Sequence, residues 1–290
     1  MDCIICRYGE LALKGKNRNL FENRLVNNIR ICLEKNSIDA DVEKIRGRIF
    51  VFTKDESAAD ALKNVFGLVS LSHAIIAESD IEDIKTKTIA YAKQALDAAQ
   101  TNNQAIKTFR ITTNRVDKKF TKSSHEMDII LGDIVGDTYQ LKARMKHPDL
   151  NIGVEIHKKT FIFHEKIDCF GGLPLGISGN VVCMIENEQD IAAAWLMMRR
   201  GCDIFPVSFS EMDISTLNRF SYGIDLKLSR ITDISGISGF AADKRCQAVV
   251  SGADLDGFDP DRFRETGMTV LTPLIGYDKS QINSLLEKIR

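Results

Sequence analysis

The chain reads as an α+β N-terminal half followed by an α/β domain with a mainly parallel sheet. Three observations predict this. Residues 3–77 run in the order strand, helix, two strands, helix, strand, which is the order of a ferredoxin-like sheet. From residue 181 onward, short apolar runs alternate with helix-forming segments, the pattern of parallel strands covered by helices. Between the two, the glycine-rich stretch Asp168–Gly179 reads as a hinge.

The elements follow in order. Cys3–Cys6 is a short apolar strand, and the basic loop Lys14-Gly15-Lys16-Asn17-Arg18 leads to a helix over Leu20–Lys35 with Phe21, Leu25, Ile29 and Cys32 at helical spacing. Asp41–Thr53 reads as a hairpin around Arg46-Gly47-Arg48, Ala58–Val65 as a helix stopped by Gly67, and Leu68–Ala77 as a strand. A second unit has helices Ile81–Ala99 and Ser124–Tyr139 and strands Ala105–Thr112, Asn151–Ile156 and Thr160–Phe163, with His147-Pro148-Asp149 breaking the chain. The last domain alternates strand Val181–Ile185, helix Ile191–Arg200, strand Asp203–Phe209, a helix near Glu211–Leu228, strands at Ala248–Ser251 and Val270-Leu271, and helix Lys279–Ile289. The expected divisions are 1–76, 77–167, a linker at 168–180, and 181–290.

The strand, loop and helix at 181–201 have the frame of a nucleotide site but the wrong loop. A loop that cradles phosphate uses glycines, whose backbone N–H groups approach the anion under the positive end of the helix dipole. Here the loop reads Glu186, Asn187, Glu188, Gln189, Asp190. Three carboxylates at a helix N-terminus satisfy the dipole internally and repel a pyrophosphate, so the site is expected to be closed to ATP.

Composition excludes several classes. With 44% hydrophobic and 27% charged residues the chain is globular, and no apolar run reaches the ~18 residues of a membrane span. The start Met1-Asp2-Cys3 lacks the features of a signal peptide, and seven scattered cysteines do not suggest a secreted disulfide framework, so a cytoplasmic protein is expected. Cys3 and Cys6 form a C-x-x-C without a second ligand pair and read as core residues, and no metal site is expected. The five histidines include no H-E-x-x-H, no serine sits in a G-x-S-x-G elbow, and the acidic Asp254–Asp261 stretch reads as a surface loop.

Net charge is −1, but it is unevenly spread: residues 1–170 carry 27 Lys+Arg against 24 Asp+Glu, and residues 171–290 carry 12 against 16. Lys107–Lys122 holds six basic residues against the single acid Asp117. Charge runs are usually solvated faces. Here Phe109 and Ile111 alternate with Arg110 and Thr112, so a strand with one buried face would present donors on the other, which makes RNA a candidate partner.

The segment Arg7–Arg18 with Phe21-Glu22, the stretch Phe109–Phe120 with Ser124, and the landmarks Gly171–Gly176, Ala193–Gly201 and Pro273–Lys279 resemble the tRNA 4-thiouridine synthetases, also called tRNA sulfurtransferases. The resemblance implies a ferredoxin-like domain, a THUMP domain and a PP-loop ATP-pyrophosphatase domain. It departs at two places. Where the family carries S-G-G-x-D-S, ungapped alignment places Ile185–Asp190 without one identity, a degenerate PP-loop. Cys246 stands alone in a short interval without the basic neighbourhood expected of a catalytic cysteine.

Three readings follow. In the first, the chain is a tRNA-binding THUMP protein that holds the acceptor end and has no ATP-dependent catalysis of its own, with Lys14, Arg18, Arg110, Arg115, Lys118, Lys119 and Lys122 contacting phosphate and ribose. In the second, it is an active tRNA sulfurtransferase making 4-thiouridine with an altered or partner-completed nucleotide site. In the third, the last domain is an interaction module of sulfur or thiamine metabolism. The resemblance also admits a homodimer and a sulfur-transfer partner; no catalytic residue, no cofactor and no membrane association are expected.

Overall fold

A computed structural model describes residues 3–10, 15–45 and 47–290. In chain order the elements are β1 (Cys3–Tyr8), α1 (Arg18–Lys35), β2 (Asp41–Ile45), β3 (Arg48–Phe52), α2 (Ala58–Leu62), β4 (Leu68–Glu78), α3 (Ile81–Thr101), β5 (Thr108–Arg115), α4 (Ser124–Tyr139), β6 (Lys142–Ala143), β7 (Leu150–Ile156), β8 (Lys159–Phe163) and β9 (Ile167–Asp168). The remainder are β10 (Asn180–Met184), α5 (Glu188–Arg199), β11 (Asp203–Ser208), α6 (Ser215–Asn218), β12 (Ser229–Arg230), α7 (Gly236–Asp243), β13 (Cys246–Val250), β14 (Thr269–Leu271) and α8 (Lys279–Ile289). The chain forms two compact units, one of residues up to 6, 48–59 and 71–167, the other of 7–47, 60–70 and 168–290.

In the first unit the strands lie in the order β3-β1-β4-β8-β7-β5-β6. The pairs β1–β3, β4–β8 and β7–β8 are antiparallel, whereas β5 runs parallel to β7 and β6. Alternation along β5 buries Phe109, Ile111 and Thr113 and exposes Thr112 and Asn114. Phe109 and Ile111 pack with Ile84, Tyr91 and Ala92 of α3, Met127, Leu131 and Val135 of α4, and Ile152 and Val154 of β7. α4 starts where Ser123 and Glu126 close a reciprocal capping box, which satisfies two otherwise orphaned N–H groups.

In the second unit five parallel strands lie in the order β12-β11-β10-β13-β14. β10 is buried almost throughout, as its unbroken Val-Val-Cys-Met run predicts for a strand with helices on both faces. Trp195 of α5 is fully buried against the rings of Phe66, Phe170 and Phe220, with centroids 5.3, 5.3 and 5.8 Å away. Such edge-on pairs add to what burial alone contributes. α1 belongs to this unit: Arg24 Nε and Asn28 Nδ2 both donate to the Leu175 carbonyl, at 2.7 and 3.0 Å.

The helix expected near Glu211–Leu228 is only the four-residue α6. Asp213 accepts from Ser215 N and Oγ, Ser221 Oγ bonds Asn218 O, and Gly223 has φ +101°, so local side-chain bonds and a left-handed glycine break the helix. Conversely, Gly236 and Gly239 did not suggest a helix, yet α7 forms there because Ile237 and Ala241 bury against Val182 and Val249. The two-residue strands β6, β9 and β12 lie below the length at which periodicity is readable.

Candidate functional site

The chain enters the second sheet at β10, builds outward through β11 to β12, then returns to lay β13 on the other side of β10. The carboxyl ends of β10 and β13 therefore form the topological switch point, the crevice in which open α/β sheets bind ligands. The β10–α5 connection, the first turn of α5 and the turn after β13 meet there.

The crevice is bridged by the protein itself. Asp190, in the first turn of α5 and only 6% exposed, accepts on Oδ2 from Glu186 N (2.9 Å) and Asn187 N (3.2 Å), and on Oδ1 from Gly252 N (2.9 Å). Gln189 Nε2 donates to the Gly252 carbonyl at 2.7 Å, so α5 holds Gly252 by both its backbone groups. Asn187 is the N-cap, accepting from Gln189 N and Asp190 N. A Cβ on Gly252 would fall 2.5 Å from Asp190 Oδ1 and 2.8 Å from Asp190 N and Cα, so only glycine allows this approach.

The electrostatics follow from this placement. Burial pushes the Asp190 carboxyl up to about 6, against the pull of the Gly252 and Asn187 N–H groups. At neutral pH it is ionised and gathers the N–H groups of the loop ahead of α5 and of Gly252 onto one carboxylate. The other two acids turn outward: Glu186, ahead of the N-cap, pairs with Arg262, and Glu188 pairs with Arg290. Gly252, Arg262 and Arg290 were missed in the sequence because they reach the loop only through the sheet topology; the one local signal was the Ser251-Gly252 pair after the apolar run 248–250.

In the first unit, most of the basic residues singled out around β5 brace the backbone. Arg110 Nη1 donates to Met145 O (3.1 Å), and Arg115 Nη1 donates to Phe120 O (3.1 Å) and Lys122 O (3.3 Å). Lys118 Nζ donates to Arg115 O at 3.4 Å and Lys122 Nζ pairs with Glu126 at 3.3 Å. Lys119 is exposed, with its backbone N–H turned onto Asp117. In the second unit Arg18 Nε lies 2.6 Å from Glu22 Oε1, and Glu22 also accepts from Tyr8 and pairs with Lys44. These partners keep the Glu22 carboxyl below the usual range although burial opposes them. Lys14 lies outside the described residues. Three exposed cations that sequence reasoning missed, Lys142, Arg144 and Lys146, stand on and beyond β6 beside β5.

Cys246 is partly exposed and its thiol is pushed up to about 11 by burial, with Lys244 pulling the other way. Among the described residues no group of three or more His, Cys, Asp or Glu could hold a metal ion, and no helix is long and apolar enough to cross a membrane.

Residues 3–72 match the family model of the ThiI ferredoxin-like domain, and residues 78–165 match that of the THUMP domain. A protein of Caldanaerobacter subterraneus named "Probable tRNA sulfurtransferase" is 30% identical over 334 residues, covering 99% of this chain and 85% of the relative. Those 334 positions exceed the 290 residues here, so the relative fills segments that this chain lacks. A protein of the same name from Natranaerobius thermophilus is 34% identical over 81% of this chain, which spans only 56% of it. Among solved structures, PH1313 of Pyrococcus horikoshii superposes with a TM-score of 0.89 at 28% identity, covering 100% of this chain and 99% of that one. A 4-thiouridine synthetase solved as an RNA complex with bound ATP superposes at 0.80 and 23% identity, covering 100% of this chain and 85% of that one. That likeness shows the shared fold: ferredoxin-like and THUMP domains followed by the parallel sheet of a PP-loop domain. The chain belongs to the tRNA sulfurtransferase family.

Proposed function

We propose that this chain is a tRNA-binding member of its family in which the PP-loop site is degenerate and takes no ATP. The observation that carries the reading is the Asp190 carboxylate, which takes up three N–H groups lining the crevice at the switch point. A triphosphate at the same place would have to displace a buried carboxylate and would meet Glu186 and Glu188 at the rim. RNA binding is supported by the THUMP match and by the exposed cations around β5 and β6, with the acceptor end of a cytoplasmic tRNA as the ligand. Arg18, Arg110, Arg115, Lys118, Lys119 and Lys122 are the proposed contacts within the described residues, and Lys14 is a seventh outside them. Arg110 and Arg115 keep further guanidinium N–H groups beyond those spent on carbonyls.

A second reading, an active tRNA sulfurtransferase making 4-thiouridine with a partner-completed nucleotide site, is favoured by the names of relatives that align over nearly the whole chain. Calorimetric titration separates the two. The binder takes up tRNA with a steep salt dependence and gives no heat with magnesium-ATP whether or not a sulfur-transfer partner is added, whereas the enzyme binds both once its partner is present. Saturable magnesium-ATP binding to the isolated chain sinks the first reading, and unchanged tRNA affinity at low salt in Lys119→Glu with Lys118→Glu sinks the contact set.

A further inference from the structure

Two loops at the carboxyl edge of the second unit's sheet carry side chains that the crevice does not use. Residues 251–263 leave β13 and residues 272–278 leave β14, and because these strands run parallel and side by side, both loops emerge at the same edge. Among the described residues eight large apolar side chains are exposed, and four of them lie here: Leu255 (75%), Phe258 (45%), Ile275 and Tyr277. The other four stand singly on α1, β4, α4 and the turn after β6. Single exposed apolar groups are ordinary, whereas a group of them rimmed by polar residues marks an interaction surface.

The charge around this group is of one sign. Asp254, Asp256, Asp259 and Asp278 are interleaved with the apolar residues, and the two cations of residues 251–278, Arg262 and Arg264, pair with Glu186 and Asp261. Acids among apolar side chains repel phosphodiesters and attract lysine and arginine, so a basic protein segment is the complementary occupant and a nucleic acid is not.

The residues that fill the crevice also hold this surface. Gly252 is bound through its N–H to Asp190 Oδ1 (2.9 Å) and through its carbonyl to Gln189 Nε2 (2.7 Å), and Arg262 pairs with Glu186. The stretch 252–262 is thereby tied at both ends to the β10–α5 connection and the first turn of α5. Within it, Asp254 Oδ1 accepts from Gly257 N (2.9 Å) and Asp259 Oδ1 from Asp261 N (2.9 Å), and Phe263 is buried in the cluster of Val182, Met184 and Ile237. A loop held in this way presents Leu255 and Phe258 at a lower ordering cost than a free one.

We propose that this edge docks a basic, amphipathic segment of another protein, whose apolar side chains cover Leu255, Phe258, Ile275 and Tyr277 while its lysines or arginines meet Asp254, Asp256, Asp259 and Asp278. Arg262 is a positioning residue that acts through Glu186. The RNA contacts proposed above take no part in this docking.

Fluorescence anisotropy with labelled synthetic peptides of about fifteen residues tests this. One peptide repeats lysine and leucine at helical spacing, a second has its leucines replaced by serine, and a third has its lysines replaced by glutamate. Only the first is expected to bind wild-type protein, with an affinity that falls as salt rises. Leu255→Ser with Phe258→Ser should lower that affinity roughly tenfold or more and leave the salt dependence in place. Both side chains face solvent, so circular dichroism of this variant should match wild type. Asp256→Asn with Asp259→Asn keeps the turn acceptor and should weaken binding while flattening the salt dependence. Arg262→Ala separates positioning from charge: removing a cation from an acidic surface by itself tightens a basic peptide, whereas losing the tie to Glu186 weakens it. Weaker binding, restored by Arg262→Lys, is expected; tighter binding removes the positioning role. Equal uptake of the leucine and serine peptides overturns the proposal, because charge alone then accounts for it, and so does wild-type protein that takes up none of the peptides. A fall in tRNA affinity of the Leu255/Phe258 variant with peptide binding unaltered makes the edge an RNA contact. A changed sedimentation coefficient of that variant with peptide binding unaltered makes it a contact between copies of this chain. Either result overturns docking of a partner protein.

Discussion

Replacing Asp190 with alanine tests whether the carboxylate stands in for an anion. The change removes the acceptor of Glu186 N, Asn187 N and Gly252 N. Each buried N–H left without a partner costs roughly 1–3 kcal/mol, and water admitted to a loop near the surface recovers part of this, so the expected loss is about 2–4 kcal/mol at pH 8. The pH dependence carries the second half of the test. Burial raises the folded-state carboxyl from 3.8 to about 6, so the folded state holds its proton more tightly than the unfolded state. The stability contributed by this group is therefore fully present below pH 3.8 and is lost as pH rises through about 6. Alanine cannot titrate, so Asp190→Ala should cost roughly 1.4 kcal/mol more at pH 5 than at pH 8, one unit below the folded value being worth that much. Urea unfolding of both proteins at the two pH values measures it. A third readout is ligand rescue: inorganic pyrophosphate should raise the melting temperature of the variant more than that of wild type, because only the variant has vacant N–H groups. A cost below about 1 kcal/mol, or a cost larger at pH 8 than at pH 5, refutes the reasoning.

Three further outcomes are expected. Gly252→Ala puts a methyl group 2.5 Å from Asp190 Oδ1 and 2.8 Å from Asp190 backbone atoms, and should destabilise by about 2–4 kcal/mol in a denaturant titration. Trp195→Ala empties the centre of the ring cluster formed with Phe66, Phe170 and Phe220 and should cost about 3–5 kcal/mol, read as a fall in urea midpoint at constant slope. Arg115→Ala releases the Phe120 and Lys122 carbonyls and should lower stability by about 1–2 kcal/mol as well as RNA affinity, whereas Lys119→Glu should lower RNA affinity with stability within about 0.5 kcal/mol of wild type.

How far the sequence was readable depends on the range of the interaction that decides each element. β5 is set by two-residue alternation and α4 by a capping box four residues long, and both are visible in a short window. α7 lies beyond that range: its two glycines argue for a loop, and only burial of Ile237 and Ala241 against β10 and β13 makes it a helix. The loop after β10 was legible as a row of acids at a helix start, but its partner Gly252 is 62 residues away in sequence. The basic cluster shows the same limit. Arg115 and Lys119 are alike in a charge count, yet one guanidinium is anchored on two carbonyls while the other side chain stands in solvent. Charge density is a property of the sequence; the share of it available to a ligand is a property of the backbone nearby.

On the proposed reading, a degenerate phosphate loop poses a physical problem that the Asp190 arrangement resolves. A helix that starts at the carboxyl edge of a parallel sheet has unpaired N–H groups and a positive dipole end pointing into a crevice, and in a nucleotide-binding protein the ligand satisfies both. Removing the glycines alone would leave those groups buried and unpartnered. Here the chain supplies the partners: the N-cap Asn187 takes two N–H groups of the first turn, and Asp190 turns back to take those of Glu186 and Asn187 ahead of the helix and of Gly252 after the neighbouring strand. Gln189 adds a bond to the same glycine carbonyl, so the two sides of the crevice are joined by hydrogen bonds where a ligand would otherwise separate them. The residues that make the loop look hostile to ATP thus also join β10, α5 and the turn after β13 by hydrogen bonds, which on the proposed reading is how the scaffold holds without a nucleotide.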